Sequence, residues 1–135
     1  MEIINNWPPN IEDIKQALEI NEKCVFCYGD KIYAPDAHEI PPEIIYHESI
    51  HSKQQGNNPK EWWYKYLLNK GFRLDQEIEA YAKQLAFVKK YTNSKRTEIE
   101  LEEEAKALSG KEYGNLLTFD EAKTFIRKQS QRYKL

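Results

Sequence analysis

Only three histidines occur in the chain, and two of them stand in His47-Glu48-Ser49-Ile50-His51. This is the H-E-x-x-H pattern, in which a helix offers two imidazoles to a metal and a carboxylate to the chemistry. Residues four apart on a helix stand one above the other on a single face. Two neutral imidazoles stacked in this way can hold one zinc ion, each at about 2.0–2.1 Å. Glu48 follows the first histidine, so it flanks the metal and can take a proton from a water held there. With histidine this scarce, a chance match has a probability of roughly one in a hundred. The plain alternative is a surface helix carrying two unrelated histidines.

A catalytic zinc usually takes three protein ligands and leaves a fourth position to water. The pattern with a third histidine shortly downstream, H-E-x-x-H-x-x-G-x-x-H, is excluded. Gln54 and Asn57 stand where its glycine and last histidine belong. A glutamate on a later helix remains. Leu74, Ile78, Tyr81, Leu85 and Val88 recur at helical spacing and mark one buried stripe. At about 100° per residue, Glu77 lies about 60° from the centre of that stripe and Glu79 about 140° away. The geometry favours Glu77 as the third ligand; its other reading is a boundary carboxylate paired with Arg73 or Lys70. Tyr81, one turn after Glu77, could orient a ligand or polarise a substrate carbonyl. It could equally be a core residue. His38 could hydrogen-bond a tetrahedral intermediate, or be an ordinary loop histidine.

These residues need elements to position them. Pro8-Pro9-Asn10 reads as a helix entry with Asn10 as N-cap, and an apolar stripe from Ile11 carries that helix to about Asn21. Val25–Tyr28 and Lys31–Ala34 flank Gly29-Asp30 as a β-hairpin. Pro41-Pro42 opens the motif helix and Gly56 closes it. Pro59 starts another helix through Trp62 and Trp63, with Gly71 as its C′ residue. Further helices are expected over about Leu74–Tyr91, through the acidic run Glu98–Glu104 to Ser109-Gly110, and over about Thr118–Arg132. The last begins with a capping box, Thr118-Phe119-Asp120-Glu121. The expected fold is α+β and mainly helical, one domain over 1–135 with five to six helices.

Composition narrows the function classes. A 135-residue chain with 40% hydrophobic and 13% aromatic residues can bury a core. A net charge of −2 gives no electrostatic case for nucleic acid or an anionic membrane as partner. No apolar run approaches the roughly 20 residues of a membrane span. The first residues lack a basic region followed by an apolar core, so a cytoplasmic location is expected. Cys24 and Cys27 form a lone C-x-x-C without the second pair that a structural zinc would want. Set in a strand-like run, they read as reduced core cysteines rather than a redox pair.

Taken together, the motif and a glutamate on a later helix resemble the gluzincin metallopeptidases. The short chain, Gln54, Trp62-Trp63 and Phe72-Arg73-Leu74-x-x-Glu77-x-x-Ala80-Tyr81 resemble the compact phage-type minigluzincins. Related enzymes carry their third ligand in Glu-x-x-Ala-Asp, and here Tyr81 replaces the aspartate. The resemblance spans about Val25 to Gln84. It implies a small zincin-like core, one zinc ion per chain, and a peptide or protein substrate held by β-addition to an edge strand beside the metal. Lys31–Ala34 is the candidate strand. It further implies peptide-bond hydrolysis with Glu48 as general base. A second reading, of another class, is a phage or mobile-element interaction protein with a structural or vestigial zinc site. Trp62-Trp63-Tyr64 and the acidic helix would then be partner surfaces. For the tryptophans the alternative is core packing, and for the acidic run a solvated helix face.

Overall fold

The computed structural model describes residues 1–36 and 39–135, so the role considered for His38 lies outside the described residues. The fold is α+β and mainly helical. It runs β1 (Glu2–Ile4), α1 (Ile11–Ala17), β2 (Phe26–Tyr28), β3 (Lys31–Tyr33), α2 (Pro42–Gln55), α3 (Pro59–Leu68), α4 (Lys70–Tyr91), α5 (Ser94–Leu108), a single 3-10 turn (Lys111–Tyr113) and α6 (Phe119–Ser130).

The hairpin forms where expected. Gly29 takes φ 66° at the first central position of its two-residue turn, a conformation that favours glycine. Its partner strands differ from expectation. β1, three residues at the N-terminus, adds parallel to β3, giving the order β1-β3-β2. Lys31–Ala34 is therefore the middle of the sheet and not an edge, because β1 occupies the side of β3 away from β2. β2 is the edge that meets α2.

Gln55 at the end of α2 ties that edge down. Its amide donates to the Cys27 carbonyl at 2.8 Å and accepts from the Gly29 N–H at 2.7 Å, as a neighbouring strand would. Trp63 Nε1 donates to the same carbonyl at 3.0 Å. Hairpin, motif helix and α3 are thereby held in one frame.

Three helix boundaries shift. α1 stops at Ala17, because Leu18 turns extended, and the Asn10 side chain makes no cap bond. α3 ends at Leu68, and its C-cap Asn69 at once caps α4 by accepting from the Phe72 N–H. Gly71 thus lies inside the first turn of α4 rather than past the end of α3. The capping box at Thr118 and Glu121 is formed.

Two apolar clusters result. Ile14, Leu18, Phe26, Trp62, Trp63 and Tyr66 join α1, β2 and α3. Tyr81, Leu85, Leu101, Leu108 and Ile126 join α4, α5 and α6, with Ala105 and Ala122 letting the helices approach. The tryptophan pair is core, and only Tyr64 of that cluster is exposed. The acidic helix is not a simple solvated face, since Glu100 and Glu104 are buried. Among the described residues no helix is long and apolar enough to cross a membrane.

Replacing Gln55 with alanine leaves the half-buried Gly29 N–H without its acceptor and the Cys27 carbonyl with one donor. The expected cost is about 1–3 kcal/mol of unfolding free energy, read from urea denaturation; an unchanged midpoint would show that this amide does not hold the hairpin.

Candidate metal centre

His47 and His51 stand one turn apart on α2 and face α4, where Glu77 turns inward at the seam between the two apolar clusters. All three are buried. The two Nε2 atoms are 3.1 Å apart, His51 Nε2 is 3.1 Å from Glu77 Oε2, and His47 Nε2 is 3.2 Å from Glu77 Oε1. Glu79, the disfavoured neighbour, faces outward and holds Lys83 at 3.0 Å.

The surroundings fix which way Nδ1 of each ring is bonded. Gln84 gives its Nε2 hydrogens to Glu100 at 2.5 Å, so its Oε1 must face His47 Nδ1, at 2.8 Å. Gln54 gives its Nε2 hydrogens to the Gln76 carbonyl and to Glu79, so its Oε1 must face His51 Nδ1, also at 2.8 Å. An amide oxygen only accepts, hence each histidine donates from Nδ1. Both Nε2 positions are left to point at each other and at a carboxylate. Tyr66 donates to Glu77 Oε2 at 2.6 Å, while Glu77 Oε1 is buried without a hydrogen-bond partner.

Such a convergence of lone pairs and negative charge calls for a cation. Two donors at about 2.0–2.1 Å from a tetrahedral ion lie about 3.3–3.4 Å apart, close to the separations found. Imidazole nitrogen and carboxylate oxygen are donors that zinc takes. His47, His51 and Glu77 are the group of described residues able to hold a metal ion. Tyr81 packs its ring edge-on to His47 with centroids 4.4 Å apart, and Trp62 lies 5.3 Å from His51, so both imidazoles are walled in.

Glu48 stands apart from this group. Its carboxylate is 3.8 Å from His47 Nε2, lines a cavity of about 420 Å³, and accepts no hydrogen bond from the described residues. Burial pushes it above the ordinary carboxylate range; His47 and His51 pull it back, and Glu77 adds to the rise. The result is a carboxylate that holds a proton more readily than a surface glutamate.

Sequence reasoning brought His47, His51, Glu77, Glu48 and Tyr81 to one place, and the structure places all five at this cavity. It did not find Gln84, Glu100, Tyr66 or Tyr113. Arg73, Glu77 and Gln84 follow at spacings of four and seven along α4 and therefore share a face; that polar stripe was the available signal. Cys24 and Cys27 also line the cavity and are free thiols, with burial pushing the Cys27 thiol well up, so neither is an acidic redox cysteine. No family model, curated protein or solved structure matches this chain.

Without metal, burial would lower the basicity of His51, but the charge and hydrogen bond of Glu77 outweigh it and raise its pKa to about 9. A metal ligand must be neutral, so a metal has to displace that proton throughout the window from the ordinary value of 6.5 to about 9. Calorimetric titration with zinc at pH 7 is expected to show about one proton released per ion bound, with affinity rising as pH increases and levelling above about 9. Glu77→Ala should abolish the binding. Uptake at pH 7 without proton release would contradict the pairing of His51 with Glu77.

Proposed function

We propose that this protein is a zinc-dependent peptidase of the gluzincin type, acting on peptide or protein substrates. The observation that carries the reading is the buried convergence of His47 Nε2, His51 Nε2 and the Glu77 carboxylate, with the Glu48 carboxylate on the cavity beside them, 3.8 Å from His47 Nε2. The order of hairpin, motif helix and, after α3, the glutamate-bearing helix supports it.

His47, His51 and Glu77 would hold the ion. Bound zinc supplies a Lewis acid that polarises the scissile carbonyl and makes water a stronger acid, towards a pKa of about 7. The chain's own groups do the rest. Gln84 and Gln54 keep both Nε2 lone pairs directed inward, and Tyr66 holds one oxygen of Glu77. Glu48 takes the proton of the attacking water and passes it to the departing amine, a task suited to a carboxylate with raised proton affinity.

The peptide itself would add along β2 rather than β3. At Cys27 and Gly29 the outward main chain of β2 is already used by Gln55 and Trp63. Val25, two residues before Cys27, shares its outward side and makes no main-chain hydrogen bond within the described chain. That position is open for an extended peptide.

The interaction-protein reading loses its main aromatic surface, because Trp62 and Trp63 are buried, 5% and 7% exposed. Tyr64 and Leu68 on the outer side of α3 stay exposed, as do Glu98, Ile99, Glu102 and Glu103 on the acidic helix.

Glu48→Gln should retain one zinc per chain and lose cleavage of a peptide library by about 10²–10⁴-fold. Cleavage that survives in the zinc-loaded variant would remove Glu48 from the mechanism. No cleavage by the zinc-loaded wild type would favour the interaction protein.

A further inference from the structure

Of the residues that line the cavity, only Asn21, Lys23, Lys106 and Ala107 are exposed, so they mark its mouth. They come from two segments, the loop after α1 and the last turn of α5 with the 3-10 turn behind it. Burial raises the Cys24 thiol and the charge of Glu112 adds to the rise, so the two segments face each other closely. An ion pair joins them at one side, Lys111 Nζ to Glu19 Oε2 at 3.6 Å. Each rim is held in place. The Asn21 side chain accepts from the Lys23 N–H at 2.8 Å, and the Asn21 carbonyl from the Cys24 N–H at 3.1 Å. On the other side the buried Arg73 donates from Nε to the Tyr113 carbonyl at 2.9 Å, and the Tyr113 and Tyr81 hydroxyls meet at 2.7 Å.

Lys23 and Lys106 therefore put one ammonium group on each rim. Among the described residues neither is in an ion pair. The acids nearby are engaged elsewhere. Glu19 holds Lys111, and Glu112 folds back over Gly110, where a Cβ would come within 2.5 Å of Glu112 Oε2. Glu48 and Glu77 lie at the buried end, with the histidines. Between the two ends the wall is apolar, with Ile14, Leu18, Phe26 and Trp63. Charge on a cleft with low-dielectric walls is focused into it and draws an ion of opposite sign more strongly than on an open surface. The open main-chain position at Val25 is two residues beyond Lys23, so an extended peptide paired there runs past that lysine.

We propose that Lys23 and Lys106 form a subsite for a carboxylate of the substrate, so that the peptides taken here carry a negative charge close to the scissile bond. This rests on the peptidase reading. The carboxylate is a free C-terminus or an aspartate or glutamate side chain. Recognition is the same for both, an ammonium donating to a carboxylate oxygen. The two lysines set specificity and touch no reacting atom.

The test uses peptide thiols on the zinc-loaded 135-residue chain. Such a probe binds zinc through sulfur whether or not the chain hydrolyses peptides. Each thiol is made with a free C-terminus and as its amide, and the amides carry either glutamate or glutamine. Wild type is expected to bind one of the charged forms about 10-fold or more tighter than its neutral counterpart, an advantage that shrinks as salt is added. Which pair shows it tells a terminal carboxylate from a side chain. In the double variant Lys23→Gln, Lys106→Gln the ratio should fall to about one with zinc stoichiometry retained. Lys106→Glu should move the preference towards thiols carrying a lysine side chain, a gain that a misfolded chain would not show. Equal affinity of wild type for charged and neutral thiols overturns the subsite, as does an advantage that the double variant keeps, or a wild type that binds no thiol. An advantage lost with the lysines, in a wild type that cleaves no peptide, supports the subsite and overturns the peptidase reading.

Discussion

Two imidazole nitrogens and a carboxylate, buried within 3.2 Å of one another, need positive charge between them. Much of the polar interior follows from that need. An unassisted histidine could rotate or change tautomer to escape the arrangement, so each ring is fixed from behind by a glutamine whose own orientation is fixed by a further acceptor. The relay through Gln84 ends on Glu100, and Arg96 neutralises that carboxylate at 2.8 Å. Buried charge at the centre is thereby answered by a chain of bonds reaching the surface of α5, since a half-satisfied buried network would cost more than an apolar core.

This gives the C-terminal helices a part in the site although the motif lies far from them in sequence. α5 supplies Glu100, and the turn after it supplies Tyr113. α6 closes the apolar core through Ala122 and Ile126 against Leu101, Ala105 and Leu108. The site lies where two cores meet, and Tyr81 and Trp62, one from each, wall in the two imidazoles. Shear between those cores would open the ligand separations, so packing on both sides serves the geometry of the centre.

The legible parts of the sequence were those governed by local periodicity. Helical spacing alone separates Glu77 from Glu79, and the turn chemistry of Gly29-Asp30 yields the hairpin. The illegible parts are long-range. β1 is three residues of a strand whose partner lies some thirty positions away, and nothing local announces a parallel pairing. That one addition turns β3 from an edge into the middle of the sheet. Glu98–Glu104 reads as solvated by composition, yet Glu100 and Glu104 turn inward because Leu101, Ala105 and Leu108 set which face is buried. Tyr113 sits in a short irregular segment with no period to mark it, and its place at the cavity depends on Arg73 and Tyr81, forty and thirty-two positions earlier.

X-ray absorption at the zinc edge, on the 135-residue chain loaded with one equivalent of zinc, tests the account most directly. The account predicts two imidazole nitrogens and light oxygen donors at about 2.0–2.2 Å, four ligands in all, with one of them exchangeable water. A sulfur shell near about 2.3 Å would move the metal to Cys24 and Cys27, and a closed set of four protein ligands would make the zinc structural. Either result would contradict a hydrolytic centre built on His47, His51 and Glu77.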